Sequence, residues 1–253
     1  METVKPVEMP ASPQKPAKIG RVRWVGEMNQ ALSEGLATSQ LLAAVESDQL
    51  AAGRKICLDL WPFIRHLPDQ IKAVKDKLPD QLEPAKLFLN SLADEERHYQ
   101  ELYIKQCELA GLSRDALLTT EVAPAQPIAV LTRTMDRACL EGDVVTGVQA
   151  IVAAELAATQ FARAAKSAFE QYFDLHAGEY DDGRIDEGLS WLRLHAKPNT
   201  RHALWMNRML VALNQENDSS IWPETVKEIL KSIFSLWRVD PSTVEKWLSS
   251  RGT

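Results

Sequence analysis

VVTGVQAIVAAELAATQFA, residues 144–162, carries a single ionisable side chain, Glu155. Alanine, leucine and glutamine favour a helix, and there is no sustained alternation of the kind a half-buried strand needs. The neighbours of Glu155 one turn away are Ile151, Val152 and Ala158, with Thr159 the one exception. Such a helix is expected to be buried on most sides, and Asp143 just before it is a good N-cap. A carboxylate inside it without a partner would cost several kcal/mol or take up a proton. A metal ion or a buried cation would remove that penalty. The plainer alternative is a salt bridge, to Arg163 two turns on or to an arginine of another helix.

The same helical signal extends outward in both directions. Helices are expected over about 27–46, 48–64, 84–110, 143–173, 224–237 and 241–249, with others between. Pro62 is expected to kink the second, Pro68 to open the helix after it, and Pro124 with Pro127 to mark a loop. Gly111 suits the residue just past a helix end, and Glu141-Gly142 a break. The reading is an all-α domain of about eight to ten helices over residues 21–253, behind a flexible N-terminal tail, residues 1–20, with four prolines.

A net charge of −6 with both signs mixed argues against nucleic acid as a partner. No run of about 18 apolar residues lacks a polar interruption, so no membrane span is expected. The first residues have no apolar core of a secretory signal. Cys57, Cys107 and Cys139 are scattered and odd in number, which reads as reduced thiols of a cytoplasmic protein.

Two further stretches carry metal-type side chains. In LADEERHYQELY, Glu95 lies on the stripe of Phe88, Leu92, Tyr99 and Leu102, and His98 is three residues beyond it. Glu-x-x-His on one helix is the spacing used by carboxylate-bridged iron sites in bundles. The alternative is a solvated charged face with a chance histidine, and Glu96 is the competing carboxylate one position round. In WLRLHAKPNTRHALWM, His195 and His202 are seven residues apart and Asn199 lies between them on the same face. Asp59 is the lone charge in ICLDLWPFI, a candidate ligand or an ordinary hydrogen-bonded aspartate. Imidazole and carboxylate without thiolate suit iron or manganese.

At these residues the sequence resembles the heme-oxygenase-like di-iron oxidases and oxygenases. These iron-containing redox enzymes are related to thiaminase II and pyrroloquinoline-quinone synthase. The resemblance runs from about residue 48 to 213 through WPFIRHLPDQI, LADEERHYQELYIKQCELAGL, Glu155 in its alanine-rich helix, and WLRLHAKPNTRHA. It implies a heme-oxygenase-like helical bundle, ferrous iron (Fe2+; one or two ions) and dioxygen as co-substrate. The implied ligands are Glu95, His98, Glu155, His195 and His202. The family's last motif has an aspartate where this chain has Asn199, a neutral donor, and Pro198 interrupts a smooth helix there. Glu95 and Glu155 supply two negative charges, or three with Asp59, which is light for two ferrous ions.

The expected function is oxidation of a small organic metabolite by iron and dioxygen, with a homodimer as a further expectation from the family. The alternatives are a metal-free enzyme on the same fold, either a cofactor-less oxidase or a thiaminase-type hydrolase, and a non-catalytic helical binding protein.

Overall fold

The structure, a computed structural model, describes residues 22–119, 125–197, 200–213 and 222–249. The expected tail, together with Pro124, Pro198 and Asn199, lies outside them. The described residues form twelve α-helices and no strand, more helices than the eight to ten expected. In chain order these are α1 (Arg23–Ala37), α2 (Gln40–Glu46), α3 (Leu50–Lys77), α4 (Glu83–Leu109), α5 (Arg114–Thr119) and α6 (Gln126–Asp136). They continue with α7 (Val144–Leu175), α8 (Asp182–Gly188), α9 (Ser190–Ala196), α10 (Thr200–Ala212), α11 (Glu224–Leu236) and α12 (Pro241–Leu248).

The alanine-rich stretch is the axis of the molecule. α7 starts where the Asp143 carboxylate accepts from the Thr146 amide, 2.8 Å. α1, α2, α3, α9, α10 and α11 all pack on it. Its buried alanines at 150, 153, 154, 157, 162, 165 and 168 let those helices approach closely. Gly147 is one such approach, since a Cβ there would lie 2.6 Å from Val74. α7 is also long and apolar enough to cross a membrane, but here it is the buried core helix.

α3 and α4 form an antiparallel pair joined by a short 3-10 turn, Asp80–Leu82. α3 contains both Pro62 and Pro68, and contrary to expectation no new helix opens at Pro68. A proline at 68 leaves the Ile64 carbonyl without its helical donor. The Gln100 side-chain amide on α4 donates to that carbonyl and to the Arg65 carbonyl, 3.1 Å each. Tertiary packing therefore supplies what the backbone lacks. Pro127, expected in a loop, instead sits in the first turn of α6.

The break expected at Glu141-Gly142 is a π turn, Arg137–Glu141. The Lys77 ammonium donates to the carbonyls of Cys139, Leu140 and Gly142 at 3.0, 2.8 and 2.7 Å, covering groups the turn leaves open. At the end of α4, Gly111 adopts φ +86°, the left-handed stop that glycine tolerates. The α1–α2 and α11 regions are tied together: Ser39 Oγ donates to the Trp237 carbonyl and Trp222 Nε1 to Glu27, 2.8 Å each.

Candidate functional site

The candidate site lies where α4, α7, α9 and α10 meet. Glu155 projects from the middle of α7 and is buried. α9 carries His195, whose side chain is 9% exposed, and α10 carries His202, also 9%. α4 contributes two adjacent carboxylates, Glu95 and Glu96.

His202 bridges two of these helices. Its Nε2 is 3.2 Å from Glu95 Oε2 and its Nδ1 is 3.5 Å from Glu155 Oε2. Burial opposes protonation of the ring, but the two carboxylates outweigh it, Glu155 first, and raise its pKa to about 9. His202 and Phe88 meet edge to face, centroids 5.8 Å apart, and Phe88 stacks on Trp205.

His195 is fixed differently. Its Nδ1 lies 3.0 Å from the Trp191 carbonyl one turn back, a contact that Nδ1–H can make and a bare nitrogen cannot. That selects the tautomer and leaves Nε2 facing Glu96, 3.9 Å from Oε1. The ring lies flat on Trp191, centroids 4.1 Å apart, and meets Tyr99 edge-on at 5.2 Å. Burial works against the charged ring, yet Glu96 and the Trp191 carbonyl raise its pKa above the usual histidine value.

Glu96 is 6% exposed, and burial pushes its carboxyl above the usual range. His195 works against that shift, while the like charge of Glu155 adds to it. A buried carboxylate that faces a second like charge is stable only with a proton or a cation beside it. Tyr99 closes this side: its hydroxyl donates to Glu95 Oε2 at 3.4 Å. Burial, then the Glu95 and Glu96 charges, push its pKa up, so the phenol is neutral and a donor.

The sequence reading is thus rearranged on α4. Glu95, Glu155, His195 and His202 are brought together, and Glu96 joins them. His98, expected beside Glu95 on the inner face, is exposed. The reason is rotational. The buried stripe of α4 passes through Leu89, Leu92, Ala93, Glu96 and Tyr103, which turns position 98 outward. The signal was present in the sequence: Glu96 is seven residues from both Leu89 and Tyr103, two turns along one face. Asp59 is held by Lys55 one turn away at 2.5 Å, hydrogen-bonded as the plainer alternative had it. Asn199 falls outside the described residues.

Among the described residues, no three His, Cys, Asp or Glu side chains stand as they are in position to hold a metal ion. The five groups are drawn into imidazole–carboxylate pairs instead. Their chemistry nonetheless fits a hard or borderline cation, with three carboxylates and two imidazoles, one of them already fixed with a nitrogen facing inward. An open groove elsewhere, lined by Lys105, Arg114, Arg184, Glu108 and Glu187, lies at the far end of α4. Its Lys105 is paired with Glu187 and its Arg114 with Glu101.

No protein-family model and no curated protein matches the sequence. Solved structures do match. A TenA homologue from Pseudomonas syringae pv. tomato DC3000 is 12% identical, with a TM-score of 0.65 and 90% of each chain covered. A domain from Shewanella denitrificans OS217, described as having a heme oxygenase-like fold, is 14% identical, with a TM-score of 0.61 and 90% of each chain covered. A TenA homologue from P. horikoshii OT3 is 13% identical, with a TM-score of 0.51 over 85% of this chain and 97% of the other. The likeness is one of architecture, and it spans nearly the whole molecule.

Proposed function

Because the chain is a heme-oxygenase-like helical bundle, we propose that it is an iron-dependent oxidase or oxygenase. Its reaction would be the oxidation of a small organic metabolite by dioxygen where α4, α7, α9 and α10 meet. The observation that carries this reading is the mixed donor set of Glu95, Glu96, Glu155, His195 and His202, gathered from four helices at one point of the core. Those five residues would hold the metal. Iron bound there supplies one-electron chemistry toward dioxygen, which closed-shell side chains do not.

The chain's own residues do the rest. The Trp191 carbonyl holds the His195 tautomer, and the indole of Trp191 supports its ring. Glu155 and Glu95 keep His202 oriented from both sides. Phe88, Trp205 and Trp191 are the aromatic side chains beside the two histidines, and a small substrate would lie against them. Tyr99 and Glu95 form a hydroxyl–carboxylate pair able to pass a proton to or from that substrate.

Protein purified without oxygen and titrated with ferrous iron should bind it tightly. Glu155→Ala should abolish that binding while helical circular dichroism is retained. Wild-type protein that takes up no ferrous iron would sink the reading.

A metal-free enzyme is favoured by one observation. His202 clamped between Glu95 and Glu155 is, as it stands, an imidazolium suited to acid catalysis. A thiol nucleophile has less support. The three cysteines are buried in other contacts, Cys139 against the Gly147 carbonyl and Cys107 against the Cys57 carbonyl. Turnover that survives a strong chelator would select the metal-free reading.

A further inference from the structure

We propose that the groove at the far end of α4 is a binding site for a zwitterionic amino acid with an apolar side chain. It lies away from the site described above: Glu108 is twelve residues beyond Glu96, about 18 Å along α4. The inference is therefore independent of the iron reading.

The chain builds the groove at a helix stop. Gly111, at φ +86°, ends α4 and turns the chain through Leu112 and Ser113 into α5. The end of α8 supplies the other side. Its last residue, Gly188, packs so closely on α4 that a Cβ there would lie 2.5 Å from the Leu109 side chain. The groove has a volume of about 600 Å³, within the range of small-molecule sites. Leu109 and Leu112 are the apolar part of its lining.

Charge selects the ligand. Five charged residues line the groove, and most of that charge is cancelled within the protein. Lys105 pairs with Glu187, from α4 to α8. Arg114 donates to both oxygens of Glu101, 2.8 Å each. Arg184 and Glu108 are left, of opposite sign, and among the described residues neither has an ion pair. The two are neighbours, since Arg184 Nη2 donates to the backbone carbonyl of Glu108 at 3.4 Å. That bond uses one of five guanidinium donors. Glu108 lies in the last turn of α4, where no basic residue accompanies it. A carboxylate at the carbonyl end of a helix is set against the helix dipole, so a cation beside it is favoured.

A lone anion in the groove would meet Glu108, and a lone cation would meet Arg184. A molecule that carries both charges on neighbouring atoms satisfies both. An α-amino acid is such a molecule. Its carboxylate matches the Arg184 fork, its ammonium answers Glu108, and an apolar side chain covers Leu109 and Leu112. No covalent bond is made or broken.

The test is calorimetric titration of the full chain with L-leucine and with two analogues that each lack one charge, 3-methylbutylamine and 4-methylpentanoate. Wild type should bind L-leucine, and each analogue should bind at least about tenfold more weakly, because one charged hydrogen-bonding group is lost. Arg184→Gln and Glu108→Gln should each weaken L-leucine by a similar factor. Arg184→Gln should bind 3-methylbutylamine no more weakly than wild type does, since the amine has no group for the guanidinium. Should a variant fail to fold, amide chemical-shift mapping of wild type decides: L-leucine should shift Gly111, Leu112 and Gly188 and leave Glu155 unmoved. Wild type that does not bind L-leucine overturns the inference. So does an analogue that binds as tightly as L-leucine, binding that both variants leave untouched, or shifts that fall outside the groove.

Discussion

At the scale of single residues, the site turns on which side of α4 faces inward. Adjacent residues on a helix differ by about 100° in direction, so a shift of one position exchanges one ligand set for another. Glu96 is buried and pairs with His195, whereas His98 is exposed. Glu96→Gln should therefore weaken ferrous binding by at least about tenfold, roughly 1.4 kcal/mol, because a neutral amide replaces a buried carboxylate donor. His98→Ala should leave the affinity unchanged. Anaerobic titration of both variants checks this, and the reverse pattern would restore the Glu95–His98 register. Glu155 was legible in the sequence because a lone charge among small apolar residues has few explanations. The histidine row was legible because seven residues make two turns, and both His195 and His202 do reach the carboxylates. Glu96 was obscured by its neighbours: in a run of Asp94, Glu95, Glu96 and Arg97, charge alone does not distinguish the buried member. Only the two-turn spacing to Leu89 and Tyr103 does, and Phe88, Leu92 and Leu102 offer a competing stripe. Asp59 shows the converse, since an isolated carboxylate with a lysine one turn away needs no metal.

At the scale of elements, the all-α reading followed from composition and period, and the errors concentrate at prolines. A proline inside a helix removes one hydrogen bond and costs about 3 kcal/mol in isolation, which is why a boundary near Pro68 was the natural expectation. What overrides it is a side chain 32 residues away in sequence, Gln100, which no local rule can see. The bonds from Gln100 to the Ile64 and Arg65 carbonyls should be worth about 1 kcal/mol net. Gln100→Ala should lower stability by that amount in urea unfolding. In a Pro68→Ala background the restored backbone N–H can serve Ile64 itself, so the same change should cost clearly less. Equal costs in the two backgrounds would mean that Gln100 does not compensate for the proline.

At the scale of the whole molecule, long-range ties hold the peripheral helices to α7, and one of them runs through a histidine whose pKa the tie raises. His176 sits just past the end of α7, its Nε2 bound to Asp48 in the turn between α2 and α3, and its Nδ1 2.9 Å from Glu179. The ring also stacks on Tyr172, centroids 4.6 Å apart. No histidine role was read here from sequence, since 128 residues separate His176 from Asp48. Bonds to Asp48 and then Glu179 raise the His176 pKa above its ordinary 6.5, against a smaller opposing effect of burial. Folded protein thus binds this proton more tightly than unfolded chain does. The stabilisation is fully present below about 6.5 and is lost as the pH rises through the raised, folded-state value. Thermal melts of wild type and His176→Gln over a pH series should show the wild-type advantage greatest at mildly acidic pH, where the ring carries its proton. It should shrink steadily on the alkaline side. Because the pair is exposed, high salt should reduce the advantage as well. A difference between the two proteins that stays constant with pH would mean that the ring acts through its stack on Tyr172 rather than through its charge.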